Sequence, residues 1–246
     1  MPEIEIIEDF DRAMQKLRFF KAANNYAELV ASDSTNFKIA ALSEHGFCSL
    51  WEIESGSWIL GLGEFHPAFI PSLLEHAPSN QIRASLPRTW TDVQLEKGSE
   101  WNFFLIQSAT APSQPMKHRV VELSDDDEIN VFMDTHSTDS STRPGDSEIL
   151  FWHGIRSEEG ILLSIGAAVR WKSGANMLVS IATAPSERGK SMAQEVTASL
   201  VKRLFDLGAP FVGLGVYAHN TTAIKAYERV GFQLKEEFVS GPLLRS

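Results

Sequence analysis

The feature that most constrains this chain is the run from Asn176 to Tyr217, where an apolar stretch, a short basic turn, a long periodic segment and a second apolar stretch follow directly. "NMLVSIAT" reads as a strand, and "APSERGKS" turns the chain. From Ser191 onward, Met192, Val196, Leu200, Leu204 and Leu207 line one helix face, with Gly208 as the C-terminal stop. "FVGLGVY" is then a strand again. The first amides of such a helix have no partner within it. They and the positive end of the helix dipole make the turn an anion site, with Arg188 and Lys190 as optional clamps. The same residues also describe an ordinary strand–turn–helix with surface charges.

Gly189, Lys190 and Ser191 match the end of a nucleoside-triphosphate loop, but Ala184 stands where that loop needs its first glycine, and Pro185 follows. Without that glycine the backbone lacks the freedom to curl its amides round a β-phosphate. The next strand ends at Ala218 and His219, with no carboxylate for magnesium. The phosphate of a nucleotide triphosphate is therefore set aside.

Elsewhere the order of elements is read from local signals. Residues 9–30 carry Phe10, Met14, Leu17, Phe20 and Leu29 among charges, predicting an amphipathic helix or a broken pair. "CSLWEI" and "SWILGLGEF" predict strands around a turn at residues 55–57, and "AFIPSLLEHAP" a helix. "HRVVEL" predicts a strand, and Ser124 with Asp127 a capping box for a helix through Asp134, so "DDDE" is a helix start and not a metal cluster. Residues 134–148 are small and polar and predict a mobile loop. "EILFWHGI" and "ILLSIGAAVRW" are strands joined by the turn "RSEEG"; Asn220 caps a helix ended by Gly231; "FQLKEEFV" is a last strand. The sum is a mixed α/β domain. "ATAPSQP" is the linker candidate, giving domains 1–115 and 116–246, the first an N-terminal α/β domain.

Composition narrows the partners. A formal charge of −10 repels a polyanion, which argues against nucleic acid. The single cysteine, Cys48, permits no internal disulfide and no cysteine-built zinc site, and reads as a small buried residue. The seven histidines show no metal spacing, so no metal is expected. The acidic start and the lack of an apolar run of about 18 residues predict a cytoplasmic protein with no membrane partner.

The stretch from Val179 to Phe232 resembles the core of the GNAT N-acetyltransferase superfamily, which moves an acyl group from coenzyme A to an acceptor, usually an amine. Two motifs carry the resemblance. Arg188, Gly189, Lys190, Ser191, Met192 and Ala193 are similar to the acyl-CoA motif, with Ser191 where glycine is usual. "HNTTAIKAYERVGF", residues 219–232, is similar to the closing motif of Asn, a helix with Ala and Tyr, then Gly-Phe.

The resemblance implies a mostly antiparallel sheet flanked by helices, with acetyl-CoA as co-substrate. It also implies that the diphosphate rests on amides of residues 189–193, and that Ile181, Ala182 and Thr183 pair with the pantetheine arm, an amide there polarising the thioester oxygen. Tyr227 occupies the position of the general acid for the CoA sulfur, although alone it reads as a core aromatic. Asn220 is both helix cap and CoA contact. No strand glutamate presents itself as a base, and Glu148 is only a guess. Residues 1–115 contain no Arg-x-x-Gly; they read as a degenerate copy of the same fold that does not bind CoA in the family manner and whose acidic balance favours a cationic acceptor. Two functions stay open: an N-acetyltransferase acting on a small-molecule or protein amine, and a non-catalytic acyl-CoA-binding or scaffold module. The acceptor and the oligomeric state are not disclosed.

Overall fold

A computed structural model describes residues 4–19, 36–107, 116–140 and 142–244. The chain divides into two compact units. The first runs to Phe103 and takes in Tyr217–His219 and the chain from Lys235; the second is Phe104–Val216 with Asn220–Leu234. This partition is not linear, whereas the expected split at 115/116 is. The expected linker, 109–115, lies outside the described residues, as do residues 20–35 of the segment expected to be helical.

In the first unit the elements are β1 (Glu5–Ile7), α1 (Phe10–Phe19), β2 (Phe37–Leu42), β3 (Gly46–Ile53), β4 (Gly56–Gly63), α2 (Phe69–Leu74), β5 (Ile82–Pro87) and the start of β6 (Ser99–Gln107). Strands β1 to β4 form an antiparallel meander, and β4 pairs in parallel with β5. On the other side of β5 lies the end of β12 (Gln233–Pro242), antiparallel, with Phe238 opposite Pro87 and Pro242 opposite Arg83. The indole N–H of Trp58 donates to Ser85 Oγ at 3.1 Å and that of Trp101 to Ser240 Oγ at 2.7 Å. The two hydroxyls lie 2.8 Å apart, so this relay ties β12 into the first unit.

The second unit holds β7 (Val120–Leu123), α3 (Asp126–His136), β8 (Ile149–Arg156), β9 (Leu162–Arg170), β10 (Asn176–Thr183), α4 (Met192–Asp206), β11 (Phe211–Tyr217, to Val216) and α5 (Thr221–Val230). Its strand order is β6-β11-β10-β9-β8-β7, with β7 to β10 successively antiparallel and β10 parallel to β11. Period-2 alternation sorts the side chains to two faces. Phe104, Ile155, Ala168 and Leu178 join α4 and α5 in one core, while Trp152, Ile165 and Ala167 join α3 in another.

This is the mixed, mostly antiparallel α/β fold that the sequence predicts, and the order of elements repeats. Among the described residues the first half runs strand, helix, three strands, helix and two strands, and the second runs the same with a further helix, α5, before its last strand. The first half is a reduced copy: its second helix has six residues where α4 has fifteen.

Two local expectations are corrected. Asp125, not Ser124, caps α3, its carboxylate accepting from Glu128 N–H at 3.0 Å, because a carboxylate one residue later reaches the third amide without a box. The described part of 134–148 is not free. Helix α3 continues to His136, and Ser140 and Thr142 are hydrogen-bonded to Ser180 of β10. One hydroxyl, of Ser140, and one carbonyl, of Thr142, are thus engaged by a strand. Among the described residues no helix is long and apolar enough to cross a membrane.

Candidate functional site

The second unit opens where β10 breaks its regularity. The ladder between β10 and β9 shifts register between Val179 and Ala182, and Ser180 there takes a left-handed φ of 54°. A bulge of this kind bends and twists its strand. The parallel ladder to β11 is paired at Met177 with Gly213 and Leu178 with Leu214, before the bulge, whereas the ladder to β9 continues through Ala182 and Thr183. Past Leu178, β10 therefore keeps one neighbour and turns its other edge free of β11. Ser164 Oγ fastens the paired side, donating to Ala182 O at 2.9 Å and lying 2.8 Å from Thr183 Oγ1.

The turn that follows is built by backbone conformation. Pro185–Glu187 form one 3-10 turn, Arg188 is extended, and Gly189 takes φ 83°. A side chain at 189 would meet nothing within 4 Å, so the glycine serves its left-handed φ and not a lack of room. Ser191, at the N-cap of α4, has φ 68° and makes no side-chain cap, so its hydroxyl does not occupy the amides of Met192 and Ala193. Serine holds a conformation glycine adopts more easily, at a cost of about 1 kcal/mol. Ser191→Gly is thus expected to raise stability by about 1 kcal/mol, roughly 2–4 °C in Tm for a chain of this size. A lowered Tm would contradict the strain argument.

The two cations of the turn have local partners. Arg188 Nε donates to Thr183 O at 3.4 Å, and Lys190 Nζ to Glu187 Oε2 at 2.9 Å, which holds the Glu187 carboxyl below its ordinary range. Asn220 caps α5 by accepting from Ala223 N–H at 3.2 Å, and Gly231 ends that helix at φ 113°. Tyr227, on α5, is buried in the same core cluster as Met192 and Val196 of α4, with Phe232 edge-on at 6.2 Å. Burial alone pushes its phenol up to about 12, so at neutral pH it carries its proton. The fold thus brings together the end of β10, the turn, the start of α4 and Tyr227. Glu148 has no such place; its carbonyl takes Arg170 N–H at 2.8 Å at the other end of β9.

Sequence reasoning missed three residues. Glu195, buried in the first turn of α4, accepts from Lys117 N–H at 3.1 Å and His118 N–H at 2.9 Å, with His118 Nδ1 at 3.0 Å. It fastens the start of the second half to the helix carrying the turn. Its signal was an acidic residue early in a helix, which reads first as a dipole partner. Ser180 and Arg143 carried no local signal. Cys48 is fully buried, its thiol pushed up by that burial, and His66 and His153 are packing residues.

In the first half β4 likewise pairs with β5 only from Ser57 to Leu60 while β3 stays with it to Gly63, but no bulge bends it away. The β3–β4 ladder runs unshifted over eight pairs. Trp90 lies against Gly61, where an added Cβ would come within 2.6 Å of its ring, and its indole N–H donates to Gly63 O at 2.7 Å. Phe65 and Phe69 pack beside it, at 5.4 and 5.8 Å between ring centroids.

The acetyltransferase (GNAT) family model matches residues 118–232. Among solved structures, a GCN5-related N-acetyltransferase from Kribbella flavida superposes with a TM-score of 0.59 at 14% identity, covering 97% of this chain and 96% of its own. One from Sphaerobacter thermophilus gives 0.58 at 14% identity, over 96% and 94%. A tandem GNAT protein from the clavulanic acid biosynthesis pathway gives 0.53 at 10%, over 99% and 100%. At these identities the likeness is one of fold. No curated protein matches.

Proposed function

With residues 118–232 a domain of the GNAT acetyltransferase family, we propose that the chain is an acetyl-CoA-dependent N-acetyltransferase acting on an amine, with one working site in its second half. The single observation that carries this reading is the free edge of β10 beyond Leu178, running into a turn with left-handed residues at 189 and 191. An extended chain adds to such an edge as another strand would, so Ile181, Ala182 and Thr183 hold the pantetheine arm. The diphosphate rests on amides from Gly189 to Ala193, at the positive end of a fifteen-residue helix. Arg188 and Lys190 exchange Thr183 and Glu187 for phosphate oxygens as they do so, and Asn220 contacts the cofactor while capping α5.

Transfer itself needs a neutral amine in line with the thioester carbon, an amide of 181–183 to stabilise the developing oxyanion, and a proton for the sulfur. Tyr227 supplies that proton. In the first half Trp90 fills the space beside β4, and that half binds no acyl-CoA. A thiol-release assay with acetyl-CoA and a broad amine panel tests the activity. The reading expects release that depends on an added amine. Acetyl-CoA binding with no release toward any amine class would favour the non-catalytic module.

A further inference from the structure

We propose that the acceptor carries a carboxylate and that Arg143 binds it, an inference that rests on the acetyltransferase reading above. Arg143 follows α3 on the segment that β10 holds at its bulge. Ser140 Oγ lies 2.6 Å from Ser180 Oγ, and Ser180 Oγ donates to Thr142 O at 3.4 Å. Ser180 immediately precedes Ile181, so the segment bearing Arg143 is anchored next to the edge assigned to the thioester arm. The guanidinium is only half used. Its Nη2 pairs with Asp134 Oδ1 at 3.3 Å, on a carboxylate largely exposed to solvent. Its backbone N–H donates to Asp146 Oδ2 at 2.8 Å, which fixes the main chain without engaging the side chain's charge. Its Nη1 is buried from solvent and has no acceptor among the described residues.

A buried donor on a cation without a partner is costly, and native structures rarely leave one unexplained. A neutral amine has one lone pair, and that pair must attack the thioester, so it cannot also serve the guanidinium during transfer; a carboxylate on the same substrate can, and the guanidinium fork matches it. A second buried donor lies in the core that α3 covers. Trp152 Nε1, on β8, also lacks an acceptor, and Trp152, Ala167 and Val179 form one cross-strand row that ends at the residue before Ser180. The charge suits the class. An α-amino acid or a similar amino-carboxylate presents its amine a few atoms from the anion, a separation that one bound Arg can orient toward a thioester.

The test compares amino acids with their carboxamides, which keep the amine and lose the charge, as acceptors for acetyl-CoA. Wild-type protein is expected to prefer the carboxylate by about 10- to 100-fold in kcat/KM, the worth of one charge-assisted pair. Arg143→Gln is expected to erase that ratio through KM, and Arg143→Lys to restore part of it, with the Kd for acetyl-CoA unchanged. Equal use of acid and amide, or an unchanged ratio in Arg143→Gln, overturns the proposal. So does a preference for succinyl-CoA over acetyl-CoA that Arg143→Gln abolishes, since the carboxylate would then belong to the acyl donor. Thermal-shift titration of the amino acids, with and without CoA, reads the site independently of turnover. Stabilisation lost in Arg143→Gln supports it even in a protein that does not transfer, and no stabilisation by any amino acid overturns it. A failure of CoA binding, by contrast, strikes the acetyltransferase reading.

Discussion

Tyr227→Phe is expected to lower kcat by about 100-fold while leaving the Kd for acetyl-CoA within about twofold. Positioned general acids contribute about 10²–10⁴-fold, and phenylalanine keeps the ring that packs with Met192, Val196 and Phe232. The magnitude belongs to the low end of that range for a physical reason. A phenol pushed up to about 12 is a poorer acid than an ordinary tyrosine, and so a weak donor to the leaving thiolate. On the proposed role, the apolar surroundings that raise the phenol would raise a thiol bound beside it as well, as burial raises the Cys48 thiol in the first unit.

The sign for stability follows from the same shift. The folded phenol lies above its unfolded value of about 10, so its contribution is complete below pH 10 and is lost as pH rises toward 12. The pH profile of kcat should therefore show no loss near pH 10 assignable to Tyr227. An unchanged kcat in Tyr227→Phe would remove the acid role and return the residue to packing alone.

The largest stability effect is expected at Trp90. Its ring is buried against Gly61, Phe65 and Phe69, and its N–H is satisfied by Gly63 O. Trp90→Ala leaves a cavity and an unpaired carbonyl in the core of the first unit, and should cost about 3–5 kcal/mol in urea unfolding. With the site confined to the second half, acetyl-CoA affinity of the folded variant should stay at the wild-type value. A loss below about 1 kcal/mol would mean that the space beside β4 collapses readily. Acetyl-CoA binding gained at a second site would mean instead that Trp90 alone had closed it.

These expectations depend on features of unequal visibility in the sequence. The path from β10 through the turn, α4, β11 and α5 was legible because each boundary has a local cause: the periodicity after Ser191, the Asn220 cap, and left-handed glycines at 208 and 231. The anomaly at Ser191 was legible too, though only its φ of 68° shows that serine occupies a glycine-type conformation. What stayed hidden is set by pairing over long sequence separations. No local pattern announces that β12 returns to β5, that Trp90 packs on Gly61, or that Ser140 reaches Ser180. The hydroxyl-rich run after α3 has the composition of a solvated loop, and only its partner on β10 distinguishes it. A one-residue error at the α3 cap came from the same source, since Ser124 and Asp125 are both good caps and backbone geometry chooses between them.

A similar element order appears twice in the chain, but among the described residues only the second half joins a bulged strand edge to a turn with left-handed residues at 189 and 191. Calorimetric titration of acetyl-CoA into the whole protein tests that claim most directly. The account predicts saturable binding at one site per chain, weakened in a Gly189→Val variant, in which a β-branched residue opposes the left-handed φ. No binding, or two sites per chain, would contradict it.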